Sequence, residues 1–171
     1  MRKVSAVEFN LRVLTASTGD REVGQQLVRE YVEHTAREMT EPGGAPDLEA
    51  ILPYIPDYHD FAAKYHAPGA LFLVAERDGV ACGGVGVARY EGTTCEMNRL
   101  WVRPEHQGHG AGRALVAESL SHARTRGYER MVLDVLTSRT GPIALYRSLG
   151  FADCESIHEY TFEVVPLALD L

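Results

Sequence analysis

The sequence has 171 residues, 45% of them hydrophobic, with 24 acidic against 17 basic side chains and a formal net charge of −7. That length suits one compact domain with a substantial core rather than two, and the acidic balance argues against the clustered Lys and Arg that neutralise a nucleic-acid backbone. The opening nine residues hold no apolar run long enough for a signal peptide, and no segment approaches the roughly 20 apolar residues of a membrane span. The three cysteines, Cys82, Cys95 and Cys154, are widely spaced with no Cys-x-x-Cys pair, so they read as reduced thiols. The expectation is a cytoplasmic protein with neither a nucleic-acid nor a membrane partner.

In chain order, residues 10–15 alternate as a short strand. Thr18 is then placed to cap a helix whose residues Val23, Leu27, Tyr31, Val32, Thr35 and Met39 recur at helical spacing. Gly43, Gly44 and Pro46 would end it. Residues 47–68 mix prolines with Tyr54, Tyr58, His59, Phe61, Tyr65 and His66, which suggests short helices, one over 57–66. Residues 71–76 and 80–90 are strand-like runs joined at Asp78-Gly79, a tight-turn signal, and 93–102 continues the meander. A glycine-rich loop leads into a helix over 110–126, stopped at Gly127. Residues 131–136 are almost continuously apolar around one aspartate, which fits a central strand covered on both faces. A last helix has Pro142 near its first turn and Gly150 just past its end, and 159–165 reads as the final strand.

The chemistry concentrates in the run R-L-W-V-R-P-E-H-Q-G-H-G-A-G, from Arg99 to Gly112. A strand runs into three alternating glycines, and a helix begins where they sit. Unpaired amides at a helix start carry partial positive charge, and glycine lets an anion's oxygens approach them without a β-carbon in the way. This is a site for phosphate or pyrophosphate; the bland alternative is a tight strand-to-helix turn. The run lacks the Gly-Lys-Ser/Thr ending of an ATP-type loop and misses the spacing Gly-x-Gly-x-x-Gly. What remains is Gln-x-x-Gly-x-Gly, at Gln107, Gly110 and Gly112.

Those residues, the preceding Leu100-Trp101-Val102 and the later Leu145-Tyr146-Arg147-Ser148-Leu149-Gly150-Phe151 resemble the GCN5-related N-acetyltransferase (GNAT) family. The resemblance implies an α/β (α+β) fold in the order β-α-β-β-β-α-β-α-β. Its central mixed, mostly antiparallel sheet would have roughly six to seven strands flanked by about four helices. The domain would span 9–171, with 1–8 as an N-terminal extension. The implied reaction moves an acetyl group from acetyl-CoA to a primary amine, on a small molecule or peptide, by direct attack in a ternary complex without a metal. The backbone of Leu100, Trp101 and Val102 would pair with the pantetheine arm. Gln107, Gly108, His109, Gly110, Ala111, Gly112 and Arg113 would hold the pyrophosphate, Tyr146 would sit by the coenzyme sulfur, and Glu96 would be the base.

An alkylamine with a pKa of about 10 is only about one part in a thousand neutral at pH 7, a cost of roughly 4 kcal/mol unless the site removes the proton. Glu96 would therefore need a raised pKa or a water chain, and Tyr146 would stabilise the thiolate by hydrogen bonding as much as by proton transfer. Other readings stand beside these. Glu96 could pair with Arg99 or Arg89 as an exposed carboxylate, and Tyr146 could be a core aromatic beside Ile143 and Leu149. His106 and His109 fit the flank of the phosphates better than a metal site. Many family members carry Asn where this chain has Arg139, seven residues before Tyr146, so Thr137, Ser138 or Arg139 would supply that coenzyme contact. The tyrosines, histidines, Asp57 and Asp60 of the segment before the hairpin form either an acceptor wall or sheet-edge packing. An acyl-CoA-binding sensor without chemistry is the second class of function, and a homodimer is an expectation by analogy.

Overall fold

A computed structural model describes residues 8–40 and 47–171; the expectations for Gly43, Gly44 and Pro46, and for all but the last residue of the 1–8 extension, lie outside the described residues. The strands are β1 (Asn10–Val13), β2 (Leu71–Arg77), β3 (Val80–Glu91), β4 (Thr94–Val102), β5 (Arg130–Leu136), β6 (Ala152–Asp153) and β7 (Val164–Asp170). The helices are α1 (Thr18–Glu38), α2 (Phe61–Tyr65), α3 (Ala111–Thr125) and α4 (Thr140–Ser148). One seven-stranded sheet has the order β1-β2-β3-β4-β5-β7-β6, antiparallel except where β4 meets β5.

Asp78 and Gly79 both take positive φ, 53° and 77°, the backbone that a two-residue hairpin needs to match strand twist. Ser17, rather than Thr18, caps α1: its Oγ accepts from the Asp20 N–H at 3.2 Å while its own backbone stays extended. The helix expected over 57–66 is split. Pro56–Tyr58 forms a 3₁₀ turn, and Asp60 caps the shorter α2 by accepting from the Ala63 N–H at 3.0 Å. The last strand lies at Val164–Asp170 instead of 159–165, because that segment matches β5 residue for residue and buries Leu167. Tyr160 and Phe162 pack on Tyr54 instead.

The sheet separates two cores. Leu73, Val85, Met97, Leu115, Leu120, Met131 and Leu133 fill the face under α3. Leu27, Val32, Phe61, Tyr65, Phe72 and Trp101 fill the face under α1 and α2. Gly86 lies so close to Tyr65 that a β-carbon there would overlap the ring.

Strand β4 carries a bulge. Gly84 opposes Trp101 and Gly86 opposes Asn98, so Val85 faces two residues, Arg99 and Leu100. Arg99 takes φ 56°, which is strained for a residue with a β-carbon. Its guanidinium is anchored to Asp57, with Nε to Oδ2 at 3.0 Å and Nη2 to Oδ1 at 2.9 Å. The Asp57 side chain is fully buried and that of Arg99 is 11% exposed. Burial pushes the Asp57 carboxyl up, but Arg99, with Lys64 and Tyr65, outweighs it and holds the group at about 2, against an ordinary 3.8.

Asp57→Ala should destabilise the fold by about 3–5 kcal/mol, because it leaves the Arg99 charge buried without a partner. Urea unfolding at neutral pH measures this. The native ionised Asp57 contributes stability that is complete above pH 3.8 and lost as pH falls through about 2, so the two proteins should converge in acid.

Candidate active site

Strands β4 and β5 pair at only three positions, Thr94–Arg130, Cys95–Met131 and Glu96–Val132. Beyond them β4 stays with β3 and β5 stays with β7, so the two strands part. Their facing edges then carry backbone groups with no strand partner, the kind of edge an extended amide chain adds to. A cavity of about 470 Å³ opens in this wedge. Leu100, Trp101 and Val102 line one side, Asp134 and Val135 the other, and Ser138 and Tyr146 the end nearest α4.

The glycine loop lines the same cavity. Gln107 Nε2 donates to the Val102 carbonyl at 2.8 Å and ties the loop to the strand end. Gly108 and Gly110 take φ 76° and 91°. The Ala114 N–H donates to the Gly110 carbonyl at 3.0 Å, so the amides of Ala111, Gly112 and Arg113 precede the helical ladder and have no partner within it. Gly112 has no positive φ, and a β-carbon there would meet Leu145 and Val102 at an ordinary 3.9 Å. Two of the three glycines therefore shape the loop.

The expected residues Leu100, Trp101, Val102, Gln107, Gly108, Gly110, Ala111, Gly112, Ser138 and Tyr146 all line this one cavity. The side chains of His109, Arg113 and Glu96 do not. His109 is exposed, and Arg113 Nη2 donates to Ser148 Oγ at 2.8 Å. Tyr146 is 5% exposed, and burial pushes its phenol well above the ordinary value, which keeps it a neutral donor. Among the described residues no group of three or more His, Cys, Asp or Glu side chains is placed to hold a metal.

Glu96 meets neither Arg99 nor Arg89: its Oε1 lies 3.3 Å from His158 Nε2, while Arg89 donates to the Gly92 carbonyl. Burial pushes Glu96 up, but the His158 bond and the Lys64 charge outweigh it, so the carboxyl lies below its ordinary value. Of the two expectations, a raised pKa or a water chain, the first is reversed, because the His158 hydrogen bond and the Lys64 charge favour the carboxylate. Asp134 behaves oppositely. Burial raises it, Ser156 Oγ lies 3.2 Å from Oδ2, and Oδ1 is buried without a hydrogen-bond partner. The sequence did offer a signal, a lone carboxylate in an otherwise apolar central strand.

Arg139, at the position of the family's Asn, reaches sideways to α1. Its Nε donates to Glu38 Oε2 at 2.9 Å and its Nη2 to Thr35 Oγ1 at 2.6 Å. Of the aromatics before the hairpin, Phe61 and Tyr65 are core, while Tyr54 meets Tyr160 and Phe162, none of which lines the cavity.

The chain is similar in sequence and fold to known proteins. The model of the acetyltransferase (GNAT) family matches residues 28–151. An uncharacterized N-acetyltransferase of Schizosaccharomyces pombe is 34% identical over 133 residues, 77% of this chain and 76% of that protein. Human N-acetyltransferase 8 is 35% identical over 101 residues, 56% of this chain and 44% of the relative's length. Among solved structures, the PaiA N-acetyltransferase of Thermoplasma acidophilum, in complex with coenzyme A, superposes with a TM-score of 0.73 at 16% identity, covering 95% of this chain and 99% of that one. YncA of Salmonella typhimurium, with acetyl-CoA, gives 0.67 at 22% identity, covering 95% and 93%. At those identities the likeness is one of fold.

Gly110→Ala forces a β-carbon onto φ 91° and should weaken coenzyme A binding about tenfold, roughly 1.4 kcal/mol of strain. Gly112→Ala should bind within about twofold of wild type. Calorimetric titration of both variants checks the contrast.

Proposed function

The chain belongs to the acetyltransferase (GNAT) family, and from that premise we propose that it transfers the acetyl group of acetyl-CoA to a primary amine by direct attack in a ternary complex. The observation that carries this reading is the wedge itself: an unpaired strand edge, a helix start with free amides and a buried phenol line one cavity. Backbone groups of Leu100 to Val102 bind the pantetheine amides as an added strand would. The amides of Ala111, Gly112 and Arg113 hold the diphosphate. These contacts set the thioester beside Tyr146.

The acceptor approaches as an ammonium ion and must lose a proton before its nitrogen can attack. Asp134 is the better base of the two carboxylates. It lines the cavity, has an unpartnered oxygen and is raised towards the working range, whereas Glu96 is spent on His158. When the tetrahedral intermediate collapses, Tyr146 donates a hydrogen bond to the leaving sulfur. Its high pKa suits that role, because the phenol stays protonated across the neutral range. Glu96 and His158 form part of the acceptor side, where Tyr54 and Tyr160 add aromatic surface.

An amine-panel assay with mass detection of the acetylated product tests the reading. Binding of acetyl-CoA without turnover of any amine would favour an acyl-CoA-binding sensor instead. For an identified acceptor, Asp134→Asn should lower kcat/KM about a hundredfold at pH 7. Asp134 acts ionised, so wild-type kcat/KM should rise with pH through a value above the ordinary 3.8 of Asp. The deficit of the variant should shrink towards pH 10, where the amine deprotonates in solution. A pH series of the two proteins decides this, and an equal deficit at every pH would contradict the base assignment.

A further inference from the structure

Two arginines belong to the wall of the reaction cavity, and the assignments above leave both unused. Arg99 and Arg139 line it, with side chains 11% and 13% exposed. Each guanidinium is held along one side only. Arg99 gives Nε and Nη2 to Asp57 at 3.0 and 2.9 Å. Arg139 gives Nε and Nη2 to Glu38 Oε2 at 2.9 and 2.6 Å, and Nη2 again to Thr35 Oγ1. Among the described residues, neither Nη1 has a hydrogen-bond partner, and neither is a buried atom left without one. The free corner of each fork is therefore open to solvent. Both guanidiniums also stand by one ring of the same wall, 5.8 and 4.9 Å from the centroid of Tyr31.

Charge does not balance in this corner. Lys64 Nζ lies 3.5 Å from Asp57 Oδ1, so Asp57 serves two cations, while Glu96 is paired with His158. Three cations, Arg99, Arg139 and Lys64, thus share two carboxylates, Asp57 and Glu38. In a chain with a net charge of −7, a positive excess facing a cavity suits an anionic ligand. Asp134 supplies the opposite charge on the same side of the sheet. Leu133 and Val135 belong to the core under α3, so Asp134 between them points towards α1, the helix that carries Tyr31 and Glu38.

Building on the acetyltransferase reading, we propose that the acceptor is a free amino acid, its ammonium meeting Asp134 and its carboxylate taking the open corners of Arg139 and Arg99. A guanidinium fork matches a carboxylate in geometry as well as charge. A polyamine or a protein lysine would instead bring positive charge against the two guanidiniums. The ammonium gives one proton to Asp134 before attack. The N–C bond then forms and the C–S bond breaks with its electron pair on sulfur, and the second proton lost by nitrogen balances release of the coenzyme as a thiol. The carboxylate takes no part in the bond changes. A carboxylate on the acyl donor could use the same corners, but only an acceptor brings an ammonium to Asp134 as well.

Matched sets of acceptors, each an L-amino acid, its amide and the amine lacking the carboxyl group, test the proposal in the wild-type chain. The acid should have a kcat/KM about a hundredfold above the other two. Arg139→Gln should reduce that preference to within about fivefold, with the loss in the KM for the amino acid, and Arg139→Lys should give an intermediate preference. The preference is a ratio measured on one protein, so a general loss of fold or of coenzyme binding cancels. With free coenzyme A bound, titrating the amino acid should change the fluorescence of Trp101, the only tryptophan and part of the cavity wall. The amide should leave it unchanged at the same concentrations. Equal acetylation of acid, amide and amine would overturn this proposal and leave the acetyltransferase reading standing. A preference for succinyl-CoA over acetyl-CoA, with the three acceptors equal, would put the carboxylate on the acyl donor and overturn it likewise. A chain that binds coenzyme A and acetylates no amine would overturn the acetyltransferase reading and the proposal with it.

Discussion

Everything in this molecule that bears on chemistry follows from two neighbouring strands ceasing to hydrogen-bond partway along their length. After Glu96 and Val132, β4 and β5 separate, and each is kept extended by its other neighbour, β3 or β7. A backbone edge in the middle of a sheet is costly if its amides find no partner. The wedge therefore asks for a ligand with amides of its own in extended form. The bulge at Arg99 belongs to the same device, because it re-aims β4 at the point where the cavity begins. Its strained arginine is fixed by Asp57, which arrives from the segment between α1 and α2. The segment between α1 and α2 and the bulged part of β4 are thereby joined through one buried ion pair.

Charge is sorted around the wedge by neighbours rather than by burial alone. Asp57, Glu96 and Asp134 all lose solvent, yet only Asp134 is raised, because it alone has no arginine, lysine or histidine at hydrogen-bond range. The two phenols divide in the same way. Tyr146 is raised, chiefly by burial, whereas Tyr31, with two guanidiniums near its ring, is lowered. An acidic chain thus keeps its local cations where they stabilise anions inside the cavity. Arg139, bound to Glu38 and Thr35, also ties the start of α4 to the end of α1, so the wall bearing Tyr31 and the wall bearing Tyr146 are fixed relative to each other.

Features carried by a few adjacent residues were legible in the sequence. The Asp78-Gly79 turn, the Gln107 to Gly112 loop and the stop at Gly127 depend on local backbone preferences, and the structure has each where the residues place it. The order of elements followed from similar local signals, whereas the sheet class came from the family resemblance. Ser17 and Thr18 are adjacent hydroxyls that a sequence cannot separate as caps, since only the turn geometry decides between them. The last strand was misplaced because residues 159–165 alternate like a strand, while the true β7 contains Pro166 and is selected by its fit to β5. Nothing local announces that Asp57 will meet Arg99, 42 residues away, that His158 will reach Glu96, or that Arg139 will stand over Tyr31. Those pairings set the charge on the carboxylates and phenols, so which residues share the cavity was readable and how its titratable groups are paired was not.

The central claim is that an extended, amide-bearing ligand completes the sheet at the wedge while its diphosphate occupies the start of α3. Amide hydrogen exchange with and without saturating acetyl-CoA tests it most directly. Slowed exchange at residues 100–102 and 111–113, with strands β1 and β2 unchanged, is the predicted result. Saturable binding that leaves both groups of amides exchanging at their free rates would contradict it.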